Sequence, residues 1–299
     1  MSSHLDARTD PHWMSHAPER AASPAASPLP SPGPAPSALR TLAPIGGPSV
    51  DARACVEPGT TRALVFAALV GLVLTGFLVL TVTGALVALA VWLVQLAGAK
   101  RARTILRASS LRVGPRQLPE IHACVSDYAA RLGLAGVPET YVYAAAEMNA
   151  FALRFGRKNG IALTDEAVAA ALEGRSPGAL AFVIGHELGH IALGHHRAWR
   201  SALRRFLSLS RKDELSADRV ACELVGSLEA AESGVISLLS GPRLLALVDR
   251  AAARAQAEEQ RGDRALRRVE RTLTHPLALR RLERVHEHFQ GRSALRAAA

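Results

Sequence analysis

From Ala63 to Ala99 the chain runs for 37 residues without a charged side chain. A helix of a water-soluble fold does not stay uncharged for that long, because its outer face must meet water. As one continuous helix the stretch would measure about 55 Å, against a hydrocarbon layer of about 30 Å. It is therefore expected to fold back as a hairpin of two short membrane spans, turning within Thr81–Gly84. One long tilted span with an extension outside the bilayer is the alternative. Arg62 flanks the stretch on one side, and Lys100, Arg101, Arg103 and Arg107 on the other. Positive flanks favour cytoplasmic ends. A hairpin allows this at both ends and a single span does not, so the expectation is a multi-pass protein of the inner (plasma) membrane with its C-terminal domain in the cytoplasm.

Residues 1–60 hold 11 of the 17 prolines. That composition cannot bury enough surface to fold, so a disordered tail is expected there; it is too long and too proline-rich for a signal peptide. The net charge of +10 is uneven. Residues 1–62 balance, whereas from Lys100 onward 31 Lys and Arg face 21 Asp and Glu. A basic lobe beside a hydrophobic anchor suits an anionic lipid surface. The basic residues are not interleaved with aromatics and carry no nucleic-acid motif, so membrane lipid, and no nucleic acid, is the expected partner. Cys55, Cys124 and Cys222 are too few and too scattered for a disulfide framework or a zinc cluster, and fit a reducing compartment.

Beyond about residue 116 the pattern is that of a globular domain. A helix is expected over 117–134, then two short strands within 139–163, then a helix opening at Thr164 or Asp165. The next helix, 176–193, is capped by Ser176 with Pro177 in its first turn and ended by Gly194. Residues Ala198–Leu209 read as a basic amphipathic segment. Trp199, Leu203, Phe206 and Leu207 share a face bordered by Arg197, Arg200, Arg204 and Arg205, which suits an anionic leaflet; a helix covering the domain's own core is the alternative. A further helix opens near Ser210, with Ser210 and Asp213 spaced as a capping box. A helical tail follows, interrupted at Thr274–Pro276.

The 176–193 helix contains His186, Glu187 and His190, spelling H-E-x-x-H. Positions i and i+4 share a helix face, so both imidazoles can meet one metal ion, with Glu187 beside that face to take a proton from a metal-bound water. Zinc brings the pKa of such a water to about 7. Gly185 and Gly189 flank the motif, a costly choice in a helix unless something packs close. The bland alternative is a helix with core histidines. Zinc needs a third protein ligand, and Glu214, on the next good helix, is the best candidate. Asp218 lies four residues on, placed to accept the outer N–H of a ligand histidine; an ordinary solvated face is the alternative for both. His195 and His196 read as a polar flank beyond the helix, and His286 and His288 as surface residues.

At this point the chain resembles the M48 family of zinc metallopeptidases, the group that includes membrane heat-shock proteases and CAAX prenyl proteases. Four stretches carry the likeness in order. Met148–Leu153, MNAFAL, is similar to the family's N-A-F-A edge segment. HELGHIALGH is similar to its zinc helix. Ser210–Ala221, SRKDELSADRVA, is similar to its E-x-x-A-D helix, and Thr274–Leu282, THPLALRRL, to its T-H-P segment. The resemblance implies one zinc per chain on His186, His190 and Glu214, Glu187 as general base, and His275 and Arg281 near the active site, where both can stabilise an oxyanion. The interval before the E-x-x-A-D helix lacks the second apolar pair of many membrane members, so two spans are expected rather than four.

The expected fold is α+β and mainly helical: a zincin-like metallopeptidase domain with a small sheet, preceded by a transmembrane helical hairpin. The expected organisation is a tail over 1–60, the hairpin over 61–100, the catalytic domain over 101–290 and a disordered end over 291–299. The expected activity is zinc-dependent endopeptidase hydrolysis of membrane or misfolded proteins. The alternatives are a signalling protease with one dedicated substrate and a catalytically silent membrane scaffold; an intact Glu187 argues against the scaffold. A peptidase must meet its substrate extended, and strand addition at a sheet edge is the simplest way. Asn149, Ala150 and Phe151 are the residues expected to line that edge; in the other reading Asn149 merely ends the strand and Phe151 fills the core.

Overall fold

The computed structural model describes residues 46–146, 149–155, 158–173, 176–203, 206–241 and 244–298. Most of the proline-rich tail lies outside them, as do Met148, Arg204 and Arg205.

The uncharged stretch forms two helices, α1 (Thr60–Val79) and α2 (Val82–Ala108). Both are long and apolar enough to cross a membrane. Their large side chains, Phe66, Leu72 and Phe77 among them, are exposed, as suits hydrocarbon and not water. The turn falls at Leu80–Thr81. Thr81 caps α2 by accepting a hydrogen bond from the Gly84 N–H at 3.1 Å. A Cβ at position 84 would overlap the Leu78 carbonyl oxygen, so glycine lets the two helices meet this tightly. Helix α2 does not stop at Lys100. It continues through the basic residues for about two more turns and leads directly into the globular region.

Next come β1 (Leu111–Arg112), α3 (Pro119–Arg131), β2 (Glu139–Tyr143), β3 (Ala150–Phe155) and β4 (Lys158–Thr164). The sheet order is β1-β2-β4-β3, with β2 parallel to β4 and the other pairings antiparallel. The segment 139–153 thus holds two strands rather than the one expected. Among the described residues, strand β3 pairs with β4 alone and forms an edge of the sheet. The helices that follow are α4 (Asp165–Glu173), α5 (Pro177–Ala192), α6 (Ala198–Leu203), α7 (Leu207–Val225), α8 (Leu228–Ser240), α9 (Arg250–Gln260), α10 (Arg264–Glu270) and α11 (Ala278–Ala298).

Helix α5 is apolar on nearly every side and is buried almost throughout from Ala179 to Ile191, as a central core helix must be. Its glycines set how near its neighbour can come. A Cβ on Gly185 would stand 3.2 Å from Ala221 Cα, and one on Gly189 would stand 3.2 Å from both Ala217 Cα and Ala217 O. The backbones of α5 and α7 are therefore in direct contact, which is the close packing that the flanking glycines foretold.

Four expectations change. Residues 46–59, assigned to the tail by composition, pack on the domain. Val50 N–H donates to Arg131 O at 2.8 Å, Glu57 N–H donates to Ser216 Oγ at 2.9 Å, and Ala52 and Cys55 join the core. Prolines dominate the average over 1–60 and hide this short apolar strap. Residues 291–298 continue α11, a run rich in good helix formers, and Arg292 pairs with Glu223 at 2.9 Å. Helix α7 starts at Leu207, so Ser210 and Asp213 lie inside it and form no capping box. The 198–209 segment is split between α6 and α7, with Leu209 buried and Arg200 turned inward.

Gly189→Ala should lower stability by roughly 1–3 kcal/mol through overpacking, although the same change raises helix propensity. Gly291→Ala, on open surface of α11, should instead be neutral or stabilising by up to about 1 kcal/mol. Thermal melting of the detergent-solubilised chain compares the two; equal effects would mean that the α5–α7 contact is slack.

Candidate metal centre

The α5–α7 contact brings three candidate ligand side chains together. His186 Nε2 lies 3.1 Å from His190 Nε2 and 3.4 Å from Glu214 Oε2, and His190 Nε2 lies 3.5 Å from Glu214 Oε1. All three residues are buried. Zinc held at about 2.0–2.1 Å in a tetrahedron puts its ligand atoms about 3.3 Å apart. The two nitrogens stand near that spacing, each faces a different oxygen of the Glu214 carboxylate at a similar distance, and the two-imidazole, one-carboxylate donor set is one that zinc takes in hydrolytic sites.

Each imidazole turns its other nitrogen away from the triad. His186 Nδ1 is 2.8 Å from Asp218 Oδ1. Asp218 is gripped by Arg281, whose Nε donates to Oδ2 at 2.8 Å and whose Nη2 donates to Oδ1 at 2.6 Å. Arg281, expected beside an oxyanion, thus has two nitrogens committed to Asp218 behind the histidine. His190 Nδ1 is 2.8 Å from His195 Nδ1. The sequence reading had placed His195 on a polar flank. The left-handed turn at Gly194 (φ 74°) brings the chain back, so that His195 N–H donates to His190 O at 2.9 Å and the ring tucks in beside its neighbour. His196 stays half-buried, its Nε2 2.9 Å from Asn159 Oδ1.

The charges are strongly perturbed. Burial opposes protonation of His186, but hydrogen bonds to Asp218 and Glu214 outweigh it and lift its pKa to about 10. Burial pushes Glu187 up to about 7, even though charged His186 and a hydrogen bond from the Ala152 N–H pull the other way. Burial also works against Asp218, yet Arg281 brings it down to about 2. Glu214 is held well below the usual carboxylate range, because His190 and His186 outweigh its desolvation.

A cleft of about 520 Å³ opens over the triad. Its walls include β3, Val183, Leu238 and His275. The His275 side chain is 58% exposed and its Nε2 stands 3.6 Å from Glu214 Oε1. On β3, Thr164 N–H donates to Asn149 O at 3.0 Å, which makes this a hydrogen-bonded pair. Alternation along the ladder then directs the N–H groups of Ala150 and Ala152 to the free edge. The Ala150 N–H is taken by Asn149 Oδ1 at 2.8 Å, and the Ala152 N–H by Glu187. Phe151 is partly exposed and meets Tyr143 edge-on, 6.0 Å between ring centroids, so it does not fill the core.

With a pKa near 10, His186 in the metal-free site keeps its proton at pH 8, while its ordinary pKa is 6.5. Binding a divalent ion must expel that proton. Calorimetry at pH 8 in buffers of different ionisation enthalpy should show release of about one proton, and affinity should climb by up to about tenfold per pH unit from 7 to 9. Metal uptake without proton release would contradict this charge assignment.

No curated protein and no solved structure matches the chain. The model of peptidase family M48 does match, in two overlapping segments, residues 115–205 and 196–288. Together these cover more than half of the chain and include α5, α7 and the start of α11. The chain therefore belongs to peptidase family M48, and it is a metallopeptidase acting on proteins or peptides.

Proposed function

We propose that this protein is a membrane-anchored zinc endopeptidase. One zinc per chain is held by His186, His190 and Glu214, and Glu187 is the general base. The observation that carries the reading is the convergence at a cleft of His186 Nε2, His190 Nε2 and the Glu214 carboxylate, with contacts of 3.1 Å between the two nitrogens and 3.4 and 3.5 Å from them to the two carboxylate oxygens. When bound, the metal would supply Lewis acidity to the scissile carbonyl and to the attacking water.

The protein's own groups do the rest. Glu187, poised at about 7, takes a proton from the water and returns it to the leaving amine. His275 lines the cleft beside Glu214 and donates to the developing oxyanion. Asp218, locked by Arg281, fixes the ring of His186, so Arg281 is read as a positioning residue. The substrate lies extended along β3. To pair there it must take over the outward N–H groups of Ala150 and Ala152. Asn149 and Glu187 occupy these groups in the free protein, so substrate binding also frees the base.

The hairpin of α1 and α2 is the anchor, with both ends in the cytoplasm. A Cβ on Gly71 would lie 3.5 Å from Leu203 Cδ2, so the end of α6 touches α1 well inside the apolar stretch. From Ala63 that point lies about 12 Å along the helix. Trp199, on the same short helix, is 56% exposed. These features support a catalytic domain held against the anchor with α6 at the membrane boundary; membrane or misfolded proteins are the substrates we assign to it. The arginine contribution expected of this segment is reduced, because Arg200 is spent on Asp213.

Glu187→Gln should keep the metal and the melting temperature while hydrolysis of an unfolded protein such as reduced casein falls by about 10²–10⁴-fold. Retained cleavage in this variant contradicts the assignment of the base. If the wild type also leaves a panel of unfolded substrates uncut, the silent-scaffold alternative takes its place. Compartment-sensitive reporters fused before residue 46 and after residue 298 should both report cytoplasm; opposite compartments would replace the hairpin with a single crossing.

A further inference from the structure

We propose that His195, Asp213 and Arg200 form a positioning chain that orients His190 toward the metal, a longer counterpart of the Asp218–Arg281 clamp on His186. The inference rests on the reading of His190 as a metal ligand. Two ring nitrogens 2.8 Å apart, His190 Nδ1 and His195 Nδ1, share one hydrogen, so one must donate and the other accept. With Nε2 of His190 turned to the triad, its hydrogen sits on Nδ1 and is donated to His195 Nδ1. His195 must then carry its own hydrogen on Nε2. That atom faces Asp213 Oδ1 at 3.4 Å. Asp213 is fully buried at 0% exposure and is held by Arg200, with Nη2–Oδ1 at 2.6 Å and Nε–Oδ2 at 3.3 Å. Each tautomer along the line is thereby fixed by the next group, and the line ends on the Arg200 guanidinium, which only donates.

The construction is costly, which argues against a merely structural role. Taking an aspartate and an arginine out of water is poorly repaid by their mutual attraction, and a plain helix junction is closed as well by apolar side chains. Here the pair sits behind a ligand candidate, as Asp218 and Arg281 do. The two clamps enter from different elements, α6 and α11, and meet the triad on either side. Outer partners of ligand histidines fix ring orientation and raise basicity.

The test uses the full chain in detergent, with zinc affinity measured by competition against a chromophoric chelator. The absorption spectrum of the cobalt-substituted protein is recorded alongside. His195→Leu, which removes both the hydrogen bond to His190 and the contact with Asp213, should weaken zinc binding by about 10–100-fold and alter the cobalt bands. His195→Gln can accept through Oε1 and donate through Nε2, and should recover most of the affinity and the wild-type spectrum. Asp213→Asn, which keeps the shape and drops the charge, should fall between them, and it carries the test if His195→Leu does not fold. Wild-type affinity and spectrum in His195→Leu or in Asp213→Asn would overturn the proposal, and so would His195→Gln binding as poorly as His195→Leu. Zinc binding at wild-type strength in His190→Ala would instead remove the ligand reading beneath it.

Discussion

Direct backbone contact between α5 and α7 is the constraint on which the site depends. A helix places His186 and His190 on one face by its own geometry, but it cannot bring a carboxylate from elsewhere in the chain to them. Glu214 arrives because nothing larger than hydrogen separates the two helices at Gly185 and Gly189. Glycine in a helix interior costs up to about 1 kcal/mol, and the packing of α7 against α5 offsets it. A methyl group at either position would hold the helices apart, and the 3.4 and 3.5 Å separations of Glu214 from the histidines would open first.

The electrostatics follow from that closeness. Glu187, Glu214 and Asp218 are three carboxyl groups buried in one cluster with Arg281 and the two histidines. Buried charges persist only when paired. In the metal-free protein the deficit of positive charge is met by a proton retained on His186 and by Glu187 pushed up toward neutrality. A divalent cation at the triad supplies the missing charge from a better position, and the cluster is in this sense prepared for it. Arg281 and Arg200 close the two outer ends, one through Asp218 and the other through Asp213.

Much of this was legible in the sequence. The uncharged run, the H-E-x-x-H spacing and the flanking glycines each reflect a local rule, and each points to a feature that the fold contains. Glu214 and Asp218 could be picked out because they share a helix face. Arg281, His275 and the edge segment came from resemblance, since nothing local brings α11 or β3 to α5. The misses are non-local too. His195 lies only five residues from His190, yet its place depends on the left-handed turn at Gly194 and on an aspartate two helices later. Asp213 resembles a cap until α7 is seen to begin at Leu207, after which its carboxylate faces inward toward Arg200. The strap 46–59 was hidden by the prolines around it.

The apolar hairpin and the candidate site are physically joined. The strap that leads into α1 is tied to α7 through Glu57, which meets Ser216 and also pairs with Arg219 at 2.7 Å. Both partners lie within five residues of Glu214 on α7, so the helix bearing the carboxylate is braced by the segment that leads into the apolar hairpin. The central claim, that α5 and α7 together make one tetrahedral zinc site, is tested most directly by X-ray absorption on the zinc-loaded Glu187→Gln chain. The account predicts one zinc with two imidazole nitrogens and oxygen ligands at about 2.0–2.1 Å. A sulfur shell near 2.3 Å, or a spectrum unchanged when Glu214 is replaced by alanine, would contradict it.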